Sequence, residues 1–173
     1  MVKINNMSKQ WFIVYCKSRE ENRALENLQN QKIESFFPKI KKEKTSRGKK
    51  TICEEALFPS YLFIHIDQED GNFSRIRSTR GINDFVRFGG KVTTVPDKLI
   101  EQLKKLCYVL NNLDVDTKSL LKKGDKVEVM QGAFKGATAI FSCDDGLARS
   151  MLLLNILNQE KSIAFSNKEI KKI

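Results

Sequence analysis

Two short stretches are rich in side chains able to donate hydrogen bonds. Lys17, Arg19 and Arg23 lie in CKSREENR; Arg77, Thr79 and Arg80 lie in RSTRG. Both stretches sit where a loop meets a helical pattern. Arginine can grip phosphate or take a guanine edge bidentately, and lysine adds a point charge. The chemistry this suggests is recognition of a polyanion; a solvated charged face is the plain alternative. Bond-breaking chemistry finds no comparable set. His65 is the only histidine, so no nucleophile–base pair can be assembled, and no clustered carboxylates or phosphate-binding loop are present. Cys16, Cys53, Cys107 and Cys143 lie far apart with no C-x-x-C pair. They are expected to be reduced, partly buried thiols, with no metal site and no cofactor.

The charge balance agrees with a polyanionic partner. Thirty-one lysines and arginines against 21 acids give a formal net charge of +10, and nucleic acid is the first partner such an excess suggests. The longest apolar run is too short to cross a bilayer, and MVKINNMSKQ lacks an apolar signal region. A cytoplasmic protein without a membrane partner is expected.

The elements that must carry these residues follow from pattern. QWFIVYCK (Gln10–Lys17) is a buried strand, rich in aromatic and β-branched residues. A helix follows, with Ser18 as a candidate N-cap, Glu20 and Glu21 in its first turn, and an apolar stripe of Ala24, Leu25 and Leu28. IESFFPKI is a strand ended by Pro38. KIKKEKTSRGKKT is a basic, solvent-exposed hairpin turning at Ser46-Arg47-Gly48. LFPSYLFIHID (Leu57–Asp67) is a strand, Phe73–Gly90 a short helix and the strand FVRF, and VPDKLIEQLKKL an amphipathic helix. The fold class is α+β: a small antiparallel sheet flanked by helices over residues 1–108, a polar linker at 109–121, and a second domain over 122–173. In that domain GDKVEVMQGAFKGATAIF (Gly124–Phe141) sets two strand-like runs around GAFKG, where Gly132 and Gly136 permit tight turns. The pattern resembles the KOW motif of small β-barrels; a plain hairpin is the alternative.

WFIVYCKSREENRALENLQNQ, RGKKTICEEALFPSYLFIHID and RSTRGINDFVRFGG together resemble the NusG/RfaH family of transcription elongation and antitermination factors, over most of the chain from Gln10. The Leu-rich GLARSMLLLNILN places the resemblance nearest the RfaH-type members. The resemblance implies a monomeric factor whose N-terminal domain binds the β′ clamp of RNA polymerase and suppresses pausing and termination. Tyr15, Phe58, Tyr61, Phe63, Phe88, Ile100 and Leu103 would form the apolar clamp-binding surface; core packing is the competing reading of each. Lys17, Arg23, Thr79 and Arg80, with Arg77 beside them, match the surface facing single-stranded non-template DNA. Two positions depart from the family there: Glu20 stands in place of a glutamine and Asn27 in place of a histidine. The contact to the polymerase β gate loop falls on Asn72, Phe73 and Ser74, of which only Ser74 keeps the expected hydroxyl. Glu55 and Arg149 match an interdomain ion pair. The resemblance also implies that the C-terminal domain can rest as an α-helical hairpin over the polymerase site, or form a five-stranded KOW barrel that contacts ribosomal protein S10.

Local preference over ARSMLLLNILNQEK (Ala148–Lys161) supports both forms. Asp145-Gly146 is a hairpin-turn signal, while Leu, Met, Arg and Ala favour helix. On a helix, Leu147, Met151, Leu154 and either Leu157 or Asn158 form one stripe that could cover the apolar surface. Two packings separated by a few kcal/mol are expected. The segment before it, with two glycines and several β-branched residues, would cost a helix about 2 kcal/mol or more. Two rivals stand beside the operon-specific antiterminator: a general NusG-like factor with a permanent barrel, and a KOW-type RNA-binding, ribosome-associated protein.

Overall fold

A computed structural model describes residues 9–68, 73–112 and 146–157, apart from 152 and 156 in the last run. The KOW-like stretch, Cys143, Asn72 and most of the expected linker lie outside these residues. The described chain forms two compact units. The first takes the residues up to Phe37 together with Ser60–Gln102; the second takes Pro38–Pro59 and the chain from Leu103 onward.

The first unit is built on β1 (Gln10–Cys16). Its run WFIV is buried without a break, as expected of a strand covered on both faces. Around it lie α1 (Glu21–Asn30), β2 (Glu34–Phe36), β5 (Tyr61–Ile66), α2 (Phe73–Arg77) and β6 (Ile82–Phe85). The sheet order is β2-β5-β1-β6, and β9 (Thr94–Val95) also pairs with β1. All these pairings are antiparallel. Side chains alternate across strands, so Phe12, Val14 and Cys16 share one face with Leu62, Ile64 and Ile66 across the β1–β5 register. That face joins Ala24 and Leu28 of α1, with Ile76, Ile82 and Phe85, in one buried core. Phe12 meets Phe73 and Phe85 edge-on, at 5.5 and 6.2 Å between centroids. On the opposite face Trp11 stacks on its cross-strand partner His65 at 4.7 Å. His65 Nδ1 in turn lies 2.7 Å from Glu34 Oε2 on β2.

Several expected boundaries move. Ser18 does not cap α1: Glu20 occupies the N-cap, after Arg19 turns the chain at φ +63°. The strand expected from Leu57 begins only at Tyr61, because Pro59 has no N–H for a ladder and Ser60 sits at φ +70°. FVRF is not one strand. β6 ends at Phe85, and β7 (Arg87–Phe88) folds back on β8 (Lys91–Val92) through Gly89-Gly90. Both glycines have positive φ, the requirement of a two-residue type I′ turn.

The second unit contains the basic hairpin β3 (Lys39–Ser46) and β4 (Lys49–Ala56), turned by Arg47-Gly48 at φ +50° and +76°. The turn falls where the sequence places it. α3 (Asp97–Asn112) begins in the first unit and ends in the second, running beyond the boundary expected at 108. Asn111 explains the extension: its Oδ1 accepts from the Lys41 N–H at 2.8 Å, and its Nδ2 donates to the Lys39 carbonyl at 3.1 Å. Residues 146–151, 153–155 and 157 are helical.

Cys16, Cys53 and Cys107 are free thiols, as expected. Burial, with the charge of Glu21 in a lesser role, pushes Cys16 up to about 12; burial pushes Cys107 up to about 11, against a hydrogen bond from the Lys39 backbone. A thiol whose folded pKa is raised keeps its proton longer in the folded state. Folded protein then binds more protons than unfolded protein, so stability falls as pH rises. For Cys16 the window runs from 9.0 to about 12. Urea midpoints should fall across that window, and less steeply in Cys16→Ala, whatever offset the smaller side chain adds.

Candidate functional site

The two donor-rich stretches meet in the first unit. The Lys17 N–H donates to the Gly81 carbonyl at 2.8 Å, and the Cys16 N–H to the Ser60 carbonyl at 2.7 Å. Gly81 is needed for this approach. It has φ +94°, and a Cβ there would lie 2.8 Å from the Ala24 nitrogen and 2.9 Å from the Glu20 carbonyl oxygen. The junction leaves Lys17, Arg19, Arg23, Arg77 and Arg80 exposed.

Thr79 is different and corrects the expectation of a DNA-facing hydroxyl. It is buried, and its Oγ1 donates to the Arg75 carbonyl at 3.1 Å while accepting from Gln31 Nε2 at 2.9 Å. Its place is inside the corner, tying the end of α2 to the end of α1. The two departing positions also act locally. Glu20 lies 3.8 Å from Arg23 Nη1, and Asn27 Nδ2 donates to the Arg23 carbonyl at 2.8 Å and reaches the Arg80 carbonyl at 3.5 Å.

The expected clamp-binding residues divide by exposure. Tyr15 is exposed and Tyr61 and Phe88 are half-buried, whereas Phe58, Phe63, Ile100 and Leu103 are buried. Tyr15 and Tyr61 are direct partners across β1 and β5, with ring centroids 5.4 Å apart. Burial, and then the neighbouring Tyr15, raise the pKa of the Tyr61 hydroxyl. Phe63 stacks on Phe36 at 6.0 Å. Of the gate-loop positions, Ser74 is exposed. Phe73 packs on Phe85 at 4.8 Å against the core, so its ring is structural in this conformation.

In the second unit Glu55 and Arg149 are paired. Arg149 Nη2 lies 2.8 Å from Glu55 Oε1. The guanidinium also donates through Nε to the Leu57 carbonyl at 2.8 Å and through Nη2 to the Ala56 carbonyl at 3.3 Å. Lys42 Nζ approaches the other Glu55 oxygen at 3.9 Å. Ser150 Oγ donates to the Pro59 carbonyl at 3.4 Å. Gly146 fits against Pro59, whose Cγ would lie 2.7 Å from an added Cβ.

The expected apolar stripe fails at Leu147 and Met151 and holds at Leu157. Leu147 and Met151 are exposed and Leu154 is half-buried, while Arg149, Ser150, Leu153 and Leu157 are buried. At about 100° per residue, fixing Arg149 inward brings Leu153 and Leu157 with it. Positions 147 and 151 then fall on the far side. A run that is apolar but for Asn155 hides this choice, and the arginine just before it, with Asn155 exposed on the other side, is the signal that reveals it.

Among the described residues no group of His, Cys, Asp and Glu could hold a metal ion, and no helix is long and apolar enough to cross a membrane. The arrangement is that of a small α+β unit with a cationic corner. Residues 9–104 match the family described as transcription termination factor nusG, more than half of the chain. The chain belongs to the NusG family of transcription termination and antitermination factors. It is 26% identical to the transcription termination/antitermination protein NusG of Rickettsia prowazekii, covering 96% of this chain and 92% of that one. It is 24% identical to the protein of the same name from Bacillus subtilis, covering 96% and 100%. A solved structure titled "Domain interaction in Thermotoga maritima NusG" overlaps 75% of this chain and 69% of that chain, at 22% identity and a TM-score of 0.43.

Proposed function

We propose that the chain is a general elongation factor that rides on transcribing RNA polymerase and holds single-stranded non-template DNA at its cationic corner. The observation that carries this reading is the corner itself: five exposed cationic side chains on two stretches joined backbone to backbone at Lys17 and Gly81. Relatives named NusG, spanning nearly the whole chain, support general rather than operon-specific action. Tyr15 and Tyr61 supply an amphipathic ring pair suited to a protein partner. The KOW-like stretch would add a contact to ribosomal protein S10.

In single-round transcription with purified polymerase, the protein should shift readthrough at pauses or terminators. Lys17→Ala with Arg80→Ala should weaken that effect, and the loss should be largest at low salt and narrow as salt rises, since each phosphate contact adds about one unit to the salt slope. An unchanged salt slope would remove the corner from the reading.

A second reading, an operon-specific factor of the RfaH type, draws support from one feature. The helical run from Gly146 is anchored through Arg149 and Ser150 to Glu55–Pro59, and Phe58 lies within that segment. A helix held there would withhold Phe58 from polymerase until released.

A further inference from the structure

We infer that Asp84 is a positioning residue for the cationic corner, holding Arg77 for single-stranded nucleic acid; this rests on the nucleic-acid reading above. Asp84 stands on β6 directly opposite Tyr15 of β1. The next pairing joins Cys16 to Ile82, so Asn83 is the extra residue of a β-bulge. A bulge at a sheet rim re-aims the side chains beside it. The Asp84 carboxylate is fixed by its own backbone: Oδ1 accepts from the Phe85 N–H at 2.7 Å. The same oxygen lies 3.2 Å from Arg77 Nε and 3.9 Å from Arg87 Nη2.

One carboxylate oxygen thus gathers two arginines from different elements, α2 and β7. It takes Arg77 by its Nε side. The two terminal nitrogens of that guanidinium then keep the fork that suits a phosphate or a guanine edge. An exposed arginine otherwise samples many rotamers, and ordering it in advance lowers what binding must spend on entropy.

Charge alone makes the opposite forecast. An acid inside a cationic face repels nucleic acid, so removing it should tighten binding and steepen the salt dependence. The sign of the effect therefore separates positioning from simple electrostatics. The probe is a fluorescein-labelled, guanine-rich single-stranded DNA oligonucleotide, titrated with the full chain while anisotropy is recorded. Asp84→Ala should bind about three- to five-fold more weakly despite its added positive charge, the scale of a half-exposed ion pair. Asp84→Asn keeps an oxygen acceptor for Arg77 Nε and should restore binding to within about two-fold of wild type or better. In an Arg77→Ala background, Asp84→Ala should cause no further loss.

Equal or tighter binding by Asp84→Ala would overturn the inference, as would a full additional loss in the Arg77→Ala background. If Asp84→Ala misfolds by circular dichroism, the Asn variant in both Arg77 backgrounds carries the same test: tightening by the same factor with and without Arg77 would mean charge alone. Wild-type protein that does not bind the oligonucleotide would overturn the nucleic-acid reading and this inference together. Wild-type binding weakened by Arg80→Ala but not by Asp84→Ala would overturn the inference alone.

Discussion

Gly81→Ala should cost about 3 kcal/mol of stability, a large share of what holds a small domain folded. Two causes add. A left-handed residue other than glycine costs about 1–2 kcal/mol, and Gly81 lies at φ +94°. Crowding adds about 1–3 kcal/mol, because the new Cβ would meet backbone atoms of Glu20 and Ala24 at 2.9 and 2.8 Å. Those atoms belong to the start of α1 and cannot swing aside as a side chain would. The chain must instead part there, straining the Lys17–Gly81 hydrogen bond and separating Arg23 from Arg80. Gly48→Ala is the comparison: φ is +76° but nothing lies within 4 Å of its Cβ position, so only the backbone penalty applies. Urea denaturation of both variants checks the pair. Equal losses would mean that the close approach to α1 contributes nothing.

Arg149→Ala should release the helical run beginning at Gly146, at a cost of about 2–3 kcal/mol to its docking. The substitution takes the Arg149 donor from the Leu57 and Ala56 carbonyls and leaves Glu55 the weaker Lys42 contact at 3.9 Å. Removing one partner of a fully buried pair costs about 3–5 kcal/mol. The figure is lower here because the Glu55 side chain is 24% exposed. Glu55→Gln should cost about 1 kcal/mol or less, since its amide oxygen still accepts and both carbonyl bonds remain. Hydrogen exchange of the full chain reads the difference at the Leu153 and Leu157 amides: fast in Arg149→Ala, near wild type in Glu55→Gln. Equal acceleration in both would show that charge alone holds the helix. The same variant separates the two functional readings. Polymerase binding that rises in Arg149→Ala points to a masked, specialised factor; unchanged binding points to a general one.

Much of the fold is legible in residue pattern. The β1 run, the Ala24–Leu28 stripe and the Arg47-Gly48 turn each rest on local chemistry, and the structure forms them there. Legibility fails where a backbone turn or a distant partner decides. Ser18 has the side chain of a cap, but the Glu20 N–H bonds back to the Lys17 carbonyl and delays the helix. Asn111 looks like linker until Lys39 and Lys41 supply its partners. Thr79 has the composition of a ligand-binding residue, yet Gln31, far away in sequence, draws its hydroxyl inward. The run at Met151–Leu157 is apolar but for Asn155, which stays exposed, so the apolar pattern alone leaves the inward face open and the buried Arg149 shows which face turns in. Asp84 gave no signal, because its partners Arg77 and Arg87 come from separate elements.

Trp11 and His65 are each the only residue of their type in the chain, and they are stacked ring on ring between β1 and β5. The indole is almost wholly buried. Its fluorescence therefore comes from a single chromophore at the centre of the sheet, beside a single imidazole. Emission colour and intensity will track whether those two strands are paired, with no label added. The cationic corner and the helix from Gly146 can thus be perturbed while the sheet reports optically on its own integrity.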